Sequence, residues 1–266
     1  MLKTEMRNEK SIHIDKMDTL SMVKLINQEN LNAVYAVENA LDKIAEVCDL
    51  TAECFEKGGR LFYVGAGTSG RLGVIDASEC PPTFGVPKEQ VTGIIAGGEK
   101  CMFQAAESQE DNAAAGEEDL KKHNVCDKDI VVGISASGGA AYVIGALEYA
   151  NKVGAVSVSI TNNEDTPMEK TAKYAIVTDT GAEVITGSTR MKSGTAQKLV
   201  LNMISTCAMV KTGKVYENMM INLKPSNKKL TDRMVRIVCE IKECDRETAE
   251  RLLNENNWNI RDAVEK

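Results

Sequence analysis

The chain has 266 residues, of which 39 are acidic and 32 are basic, so its net charge is −7. Apolar residues make up 43% of the sequence and aromatic residues only 4%, which favours an aliphatic core of helices packed on parallel strands. No long basic run is present to neutralise a phosphate backbone, so a nucleic-acid partner is not expected. The length suits one large α/β domain with a small appendage.

The eight cysteines form no CxxC pair, and neither His13 nor His123 lies at ligand spacing from a cysteine. A zinc site is therefore not expected. The N-terminus lacks the apolar core of a signal peptide, and no apolar run reaches the ~20 residues of a membrane span. These features predict a cytoplasmic protein with reduced thiols that does not bind a membrane.

Residues 18 to 57 contain neither glycine nor proline, and their apolar residues recur at helical spacing. This pattern predicts an N-terminal helical segment, 1–57, whose helices end at Gly58-Gly59. The apolar positions that carry the pattern are Leu20, Val23, Ile26, Ala33, Val37, Leu41, Ile44 and Val47.

Five short β-rich runs follow, and each precedes a polar loop and a helix-compatible stretch. They are Arg60 to Val64, Val91 to Ala96, Ile130 to Ile134, Val156 to Thr161 and Tyr174 to Thr178. This alternation predicts an α/β fold of three layers, a five-stranded parallel sheet covered on both faces by helices, spanning residues 58–224.

A long helix is predicted from Ser188 to Lys211, with Ser188 or Thr189 as its N-cap. After Pro225 the sequence becomes richer in charge, and three short helices are predicted at about 227–241, 245–254 and 258–265. Residues 225–266 are therefore predicted to form a small helical tail.

The first strand is followed by a glycine-rich loop, GAGTSGR, from Gly65 to Arg71. Backbone N–H groups at the start of a helix, with the hydroxyls of Thr68 and Ser69, favour phosphate binding. The loop also matches G-x-G-x-x-G, but Ala96-Gly97-Gly98 stands where an NAD-binding fold has its acidic ribose ligand. A dinucleotide site is therefore disfavoured, and a tight turn without a ligand is the alternative.

The third strand is followed by ISASGG, which again places small hydroxyl residues, Ser135 and Ser137, before a helix. The carboxyl ends of parallel strands lie at one edge of a sheet. The two loops are therefore predicted to converge on one anion without a lysine.

Two groups of carboxylates are candidates for acid/base chemistry. Glu79 precedes Cys80-Pro81-Pro82, which is predicted to be a rigid turn, and Glu107, Glu110 and Asp111 lie in a predicted helix. For each of them, a solvated surface position is the simpler interpretation. The residue pattern alone does not choose between the two.

Three segments, residues 59–87, 131–138 and 186–206, closely resemble the N-acetylmuramic acid 6-phosphate etherases, members of the sugar isomerase domain superfamily. The resemblance runs from about residue 4, including TEMRN at 4–8, to the C-terminus. It implies the same five-stranded α/β sandwich as the strand pattern. Departures include Glu9, where many relatives have proline, and Gly139-Ala140, where relatives often have Arg-Thr.

The resemblance implies cleavage of the lactyl ether of N-acetylmuramic acid 6-phosphate by elimination and then hydration, without metal or cofactor. It implies Glu79 as the acid and Glu110 as the base, with the two roles exchangeable. Partial burial of Glu79 beside Phe84 is expected to raise its pKa. The implied phosphate ligands are Gly67, Thr68, Ser69, Ser135 and Ser137, with Ser188 and Thr189 as weaker candidates and Lys192 as a possible added charge.

The family resemblance further implies a homodimer, for which helix 188–211 offers an interface, with core packing of that helix as the alternative. Two other functions stay open: a non-catalytic phosphosugar-binding regulatory protein and an aldose/ketose phosphate isomerase. Retention of both Glu79 and Glu110 favours an enzyme, and the segments ECPPT and GSTRMKSGTAQ favour an etherase.

Overall fold

A computed structural model describes residues 1–104, 109–225 and 227–265. The chain begins with three short 3₁₀ turns, Lys3–Glu5, Glu9–Ser11 and Ile14–Lys16. Two helices follow, α1 (Thr19–Glu38) and α2 (Leu41–Glu56), as the helical spacing predicts. Asp18 caps α1 by accepting a hydrogen bond from the Ser21 N–H, 3.1 Å away.

The apolar pattern of these helices is only partly a core pattern. Ala33, Val37, Ile44 and Val47 are buried, but Leu20, Val23 and Leu41 are exposed. Helical spacing shows that a helix has an apolar face, but it does not show whether the rest of the chain packs against that face. Exposed and buried apolar residues therefore follow the same spacing. Leu31, Val34 and Tyr35 are also exposed on α1 and extend its uncovered apolar surface.

The central sheet has five parallel strands in the order β2-β1-β3-β4-β5, which confirms the predicted fold class. The strands are β1 (Leu61–Gly65), β2 (Val91–Ile95), β3 (Ile130–Ile134), β4 (Val156–Thr161) and β5 (Tyr174–Val177). The chain passes from β1 to β2 on one side and returns to β3 on the other, so strand order reverses between β1 and β3. Ligands of open α/β sheets bind at such a switch point.

Helices cover both faces of the sheet. They are α3 (Gly67–Phe84), α4 (Ala113–Lys122), α5 (Ala141–Lys152), α6 (Pro167–Thr171) and α7 (Lys192–Lys211), with a 3₁₀ turn at Glu99–Met102. Successive residues of β1 point to opposite faces, so Leu61 and Tyr63 join one apolar cluster and Phe62 and Val64 join the other. The two clusters are the two interfaces of a three-layer sandwich.

The Cys-Pro-Pro segment is not a turn. Pro81 and Pro82 lie inside α3, which continues to Phe84 and ends at Gly85 with φ +66°. Proline has the φ of a helix, but it lacks the N–H donor and its ring crowds the carbonyl one turn back. Both prolines stand in the last turn of α3, where few helical bonds follow. The left-handed cap is closed by the Gly85 N–H, which donates to Pro81 O at 2.9 Å.

The long helix begins at Lys192 rather than at Ser188, and neither Ser188 nor Thr189 caps it. The cap comes instead from Glu183, whose carboxylate accepts the N–H groups of Lys192 at 3.3 Å and Ser193 at 2.9 Å. A carboxylate at the positive end of a helix is favourable, and Glu183 is fully buried there. The preceding residues, 188 to 191, form a turn at the edge of the sheet.

The C-terminal part contains a two-strand hairpin that sequence patterns did not predict, β6 (Val215–Tyr216) and β7 (Met219–Met220). Its three helices, α8 (Lys228–Lys242), α9 (Arg246–Glu255) and α10 (Ile260–Glu265), match the predicted ones within two residues at each end that is described. Their apolar residues form a third cluster, separate from the two at the sheet, and it includes Met234, Val238 and Leu253. The domain limits at 57/58 and 224/225 stay predictions.

Within the described ranges, no helix has the length and apolar character needed to cross a membrane.

Candidate active site

A cavity of about 500 Å³ opens at the carboxyl ends of β1 and β3, at the switch point of the sheet. It brings together Gly67, Thr68, Ser69, Glu110, Ser135, Ser137 and Thr189, all of which the sequence singled out. Its volume is suited to a small phosphorylated sugar. Glu5 and Gly187, which the sequence did not single out, also line it.

The loop after β1 is held tight by glycines. A Cβ on Gly65 would lie 2.6 Å from Gly70 N, and Gly67 has φ +52°, a conformation that other residues rarely adopt. The first residues of α3, Gly67, Thr68 and Ser69, line the cavity, and N–H groups at the start of a helix favour an anion. Ser69 Oγ donates to Gln197 Oε1 at 2.8 Å, so α7 orients this hydroxyl.

The loop after β3 presents two hydroxyls side by side. Ser135 Oγ and Ser137 Oγ lie 3.2 Å apart, and they accept the N–H groups of Gly138 at 3.3 Å and Gly139 at 3.2 Å. Because these bonds occupy oxygen lone pairs, a hydroxyl hydrogen can be donated to an acceptor in the cavity. A phosphate oxygen is such an acceptor.

Glu110 is the carboxylate predicted as base, and it lines this cavity. It lies in a turn rather than in the predicted helix, because Asn112 caps α4 by accepting from the Ala115 N–H at 3.1 Å. The backbone oxygen of Glu110 accepts the Tyr142 N–H at 2.9 Å, which ties it to the start of α5. Glu107 is among residues 105–108, which lie outside the described residues.

Close packing of α4 on α5 supports this position of Glu110. A Cβ on Gly116 would lie 1.9 Å from Tyr142 O, and a Cβ on Gly145 would lie 2.2 Å from Ala113 O. Only glycine allows the two helices to approach so closely. The turn that carries Glu110 is thus anchored to α4 and α5 by backbone contacts.

Glu79 does not line the cavity. It is exposed on α3, more than three helical turns after Gly67 and so about 18 Å along the helix axis. The neighbouring Asp76 and Cys80 are buried, whereas Glu79 is exposed. The expected burial of Glu79 beside Phe84 was therefore wrong, because the helical turn points the two side chains to different surroundings.

Ser188, Thr189 and Lys192 were predicted to assist at the phosphate, and only Thr189 lines the cavity. Lys192 is only 2% exposed, and its Nζ lies 2.8 Å from Glu29 Oε2. Its charge is therefore matched by Glu29, which corrects the suggestion that it adds charge at the phosphate.

Glu29 also accepts hydrogen bonds from Asn8 at 2.7 Å and Lys10 at 2.9 Å. Burial alone would raise the pKa of this carboxyl, but the hydrogen bonds from Lys192, Lys10 and Asn8 outweigh it and lower the pKa to about 2. Sequence reasoning missed Glu29 because an isolated glutamate in a helix carries no sign of a distant partner. Among the described residues, no group of three or more His, Cys, Asp or Glu residues is placed to hold a metal ion.

Two family models match the chain. Residues 43–151 match the glucokinase regulatory protein N-terminal SIS domain, and residues 106–206 match the SIS domain. Together they span the sheet and both loops of the cavity. The match agrees with the sugar isomerase superfamily that the sequence resembles.

Solved structures share this fold at low sequence identity. Phosphoheptose isomerases from Neisseria gonorrhoeae and Francisella tularensis give TM-scores of 0.56 and 0.54 at 16% and 17% identity. Each comparison covers 72% of this chain and 98% of the other. They support the fold of the central sheet and its helices.

Curated relatives match nearly the whole chain. A protein of Pasteurella multocida is 52% identical over 99% of this chain and 87% of its own length. A protein of Clostridium botulinum is 54% identical over 98% of this chain and 86% of its own length. Both are named N-acetylmuramic acid 6-phosphate etherase, which confirms the resemblance seen in the sequence. The chain belongs to the N-acetylmuramic acid 6-phosphate etherase family.

Proposed function

We propose that this protein cleaves the D-lactyl ether at C3 of N-acetylmuramic acid 6-phosphate, releasing D-lactate and N-acetylglucosamine 6-phosphate. The observation that carries the proposal is one cavity that joins two hydroxyl-bearing loops to the carboxylate of Glu110. Relatives of that name, at 52% and 54% identity over nearly the full chain, support the choice of reaction.

The 6-phosphate is proposed to bind at the start of α3, where N–H groups, that of Ser69 included, and the hydroxyl of Thr68 meet the hydroxyls of Ser135 and Ser137. The Ser69 hydroxyl is donated to Gln197 instead. Because the chain has a net charge of −7, a broad positive field is not the means by which it binds the phosphate. Local N–H and O–H donors bind a dianion without such a field. Thr189, which also lines the cavity, adds a hydroxyl.

Glu110 is proposed as the base. In the open-chain form of the sugar, the C1 aldehyde acidifies the C2 proton, and the Glu110 carboxylate takes that proton. The electron pair forms the C2–C3 double bond, and the C3–O bond to lactate breaks. An acid gives the departing lactate oxygen a proton, water then adds at C3, and C2 regains a proton.

Glu79 is proposed as that acid. In its own chain, however, Glu79 lies far from the loop at Gly67, where the phosphate is proposed to bind. We propose that a second copy of the chain supplies it. Ile75 lies four residues before Glu79 on the same face of α3, and Ile75 is 51% exposed. In the proposed dimer, Ile75 provides an apolar contact for the second chain beside Glu79.

The exposed apolar residues of α1 support the same assembly, because Leu20, Val23, Leu31, Val34 and Tyr35 are each at least half exposed. By contrast, α7 packs within its own chain, with Ala196, Val200 and Ile204 fully buried. We therefore propose a homodimer that uses surfaces of α1 and α3 rather than the predicted surface of α7. Either glutamate can act as the acid if the roles are exchanged.

The substrate and products place the protein in recycling of cell-wall amino sugars. We propose a cytoplasmic location and no nucleic-acid or membrane partner; the excess of 39 acidic over 32 basic residues supports the absence of a nucleic-acid partner. No cofactor is required, since two carboxylates account for the proton transfers.

The test is D-lactate release from N-acetylmuramic acid 6-phosphate by purified protein, beside Glu110→Gln. We expect release by the wild type and loss in the variant. The alternative, a non-catalytic phosphosugar-binding regulator, predicts tight calorimetric binding of the same compound without lactate. The isomerase alternative predicts aldose/ketose interconversion of a sugar phosphate and no lactate.

A further inference from the structure

Glu5 lines the candidate cavity, and the proposed chemistry does not use it. It ends the first 3₁₀ turn, Lys3–Glu5, and its side chain is exposed at the cavity. A Cβ on Gly187 would lie 3.4 Å from Glu5 Oε2, which places the carboxylate against the turn that carries Thr189. A carboxylate in this position can contact a bound ligand.

The segment before Glu5 is anchored to the phosphate loop. Thr4 is fully buried, and its N–H donates to Asn163 Oδ1 at 3.3 Å. Asn163 Nδ2 donates in turn to Thr4 Oγ1 at 3.0 Å and to Ala136 O at 2.9 Å. Ala136 stands between Ser135 and Ser137, so one asparagine joins the N-terminus to the loop after β3.

The segment after Glu5 is anchored as well. Asn8 Nδ2 donates to Ala182 O at 3.1 Å, and Ser11 Oγ donates to Val184 O at 2.7 Å. Residues 3–11, which we call the N-terminal strap, are therefore fixed on both sides of Glu5. Because the backbone on both sides of Glu5 is already fixed, little conformational entropy is lost there when a ligand binds.

The charge of Glu5 restricts what it can bind. A phosphate at the two loops carries negative charge, and a carboxylate nearby would repel it. An ionised carboxylate only accepts hydrogen bonds, and a sugar phosphate, which carries no cation, can offer it hydroxyl or amide N–H donors. A sugar phosphate held by its phosphate presents such groups to the rest of the cavity.

We propose that Glu5 is a substrate-contacting residue whose carboxylate accepts hydrogen bonds from a hydroxyl or amide N–H of the sugar, which makes the N-terminal strap part of the binding site. The identity of the sugar rests on the proposed function. The contact itself requires only a phosphorylated sugar in this cavity. Glu5 thereby distinguishes a sugar phosphate from phosphate alone.

The test compares Glu5→Gln with Glu9→Gln, a matched change at an exposed residue of the strap that does not line the cavity. Affinities for N-acetylglucosamine 6-phosphate and for inorganic phosphate are measured by calorimetry. Glu5→Gln should weaken sugar phosphate binding on the order of 10- to 100-fold, the effect of a lost hydrogen bond to a charged group, and should not weaken phosphate binding, because it removes a repelling charge. Glu9→Gln should change neither affinity.

The same variants are assayed for lactate release. Glu5→Gln should raise KM on the order of tenfold or more with a smaller change in kcat, because a contact made before and during the reaction is lost. Glu5→Asp, which keeps the charge, should recover part of the affinity. Melting temperatures equal to that of the wild type will establish that the variants are folded.

Three results would overturn the proposal: Glu5→Gln behaving as Glu9→Gln, equal losses for sugar phosphate and inorganic phosphate, or a loss in kcat with unchanged sugar phosphate affinity. Failure of the proposed function is seen separately. If the wild type releases no lactate but Glu5→Gln still weakens only the sugar phosphate, the reaction is wrong and the role of Glu5 stands.

Discussion

Lys192 Nζ lies 2.8 Å from Glu29 Oε2, and the two side chains are only 2% and 3% exposed. Glu29 belongs to α1, while Lys192 begins α7 directly after the turn that carries Thr189. Since Asn8 and Lys10 also donate to Glu29, this one carboxylate joins the N-terminal strap, α1 and α7. The pair therefore supports one side of the cavity without lining it.

Removing the charge of Glu29 should be strongly destabilising. In Glu29→Gln the buried ammonium of Lys192 loses its counter-charge, which costs about 3–5 kcal/mol of unfolding free energy. The matched control is Lys43→Met in the exposed pair Lys43–Glu46, where a loss of about 0.5 kcal/mol or less is expected. Urea denaturation measures both, and equal losses in the two variants would contradict a structural role for the buried pair.

Glu29 should also make stability depend on pH in the acid range. The pKa of this carboxyl is about 2 when folded and 4.5 in the reference state, because hydrogen bonds from its three partners outweigh burial. A lowered folded pKa gives stability that is present above about pH 4.5 and lost as pH falls toward 2. Between pH 5 and pH 3 the wild type should lose about 2 kcal/mol more than Glu29→Gln.

The comparison with Glu29→Gln cancels the contributions of other carboxyls whose pKa is lowered, such as those of Asp18 and Asp232. Urea denaturation at several pH values gives the two curves. Parallel curves for wild type and variant would contradict the lowered pKa of Glu29.

Ser137→Ala should weaken phosphate binding. The hydroxyl lies beside Ser135 in the loop after β3, and its removal deletes one donor to the 6-phosphate. We expect KM to rise on the order of tenfold and kcat to change less, as for a lost hydrogen bond to a charged group. Thr206→Ala is the control, because Thr206 is exposed on α7 and lies outside both the cavity and the proposed surfaces of α1 and α3. Equal kinetics for the two variants would exclude Ser137 from the phosphate site.

Glu79→Gln and Glu110→Gln should complement each other if the two glutamates of one site come from different chains. Each variant alone should be inactive. When the two are refolded together, random pairing makes half of the dimers mixed, and one of the two sites in each mixed dimer is intact, so activity should recover to about a quarter of the wild type.

Co-purification of a tagged Glu79→Gln chain with an untagged Glu110→Gln chain is the control for formation of mixed dimers. No recovery in the mixed single variants, with mixed dimers established by the control, would mean that Glu79 and Glu110 act within one chain or that Glu79 is not used.

The fold and the two loops that line the cavity were largely predictable from local sequence. The segments Leu61–Gly65 and Ile130–Ile134 are fully buried strands, and strands buried on both faces have nearly continuous apolar sequences. Each is followed by small polar residues, so local sequence is enough to identify the loops at Thr68 and Ser135 as candidate anion sites. Their convergence follows from the parallel order of the strands, which the alternation of strands and helices already indicates.

What the sequence did not predict depends on contacts between distant residues. Glu183 caps α7 from outside the helix, and nothing near Ser188 reveals this. In the sequence, the prolines next to Glu79 predicted a rigid turn that would position it as an acid. In the structure those prolines continue the helix, and Glu79 is exposed. Glu5 was missed because its place at the cavity is set by Thr4 and Asn163, far apart in the chain.

The most direct test of the account is the reaction run in ²H₂O that contains ¹⁸O-labelled water, with mass analysis of both products. Elimination by Glu110 and then hydration predicts ¹⁸O in the C3 hydroxyl of N-acetylglucosamine 6-phosphate, deuterium at C2 and unlabelled lactate, with all of these lost in Glu110→Gln. Lactate released without deuterium at C2 would contradict the role of Glu110 as a base at C2, and no lactate at all would contradict the proposed reaction.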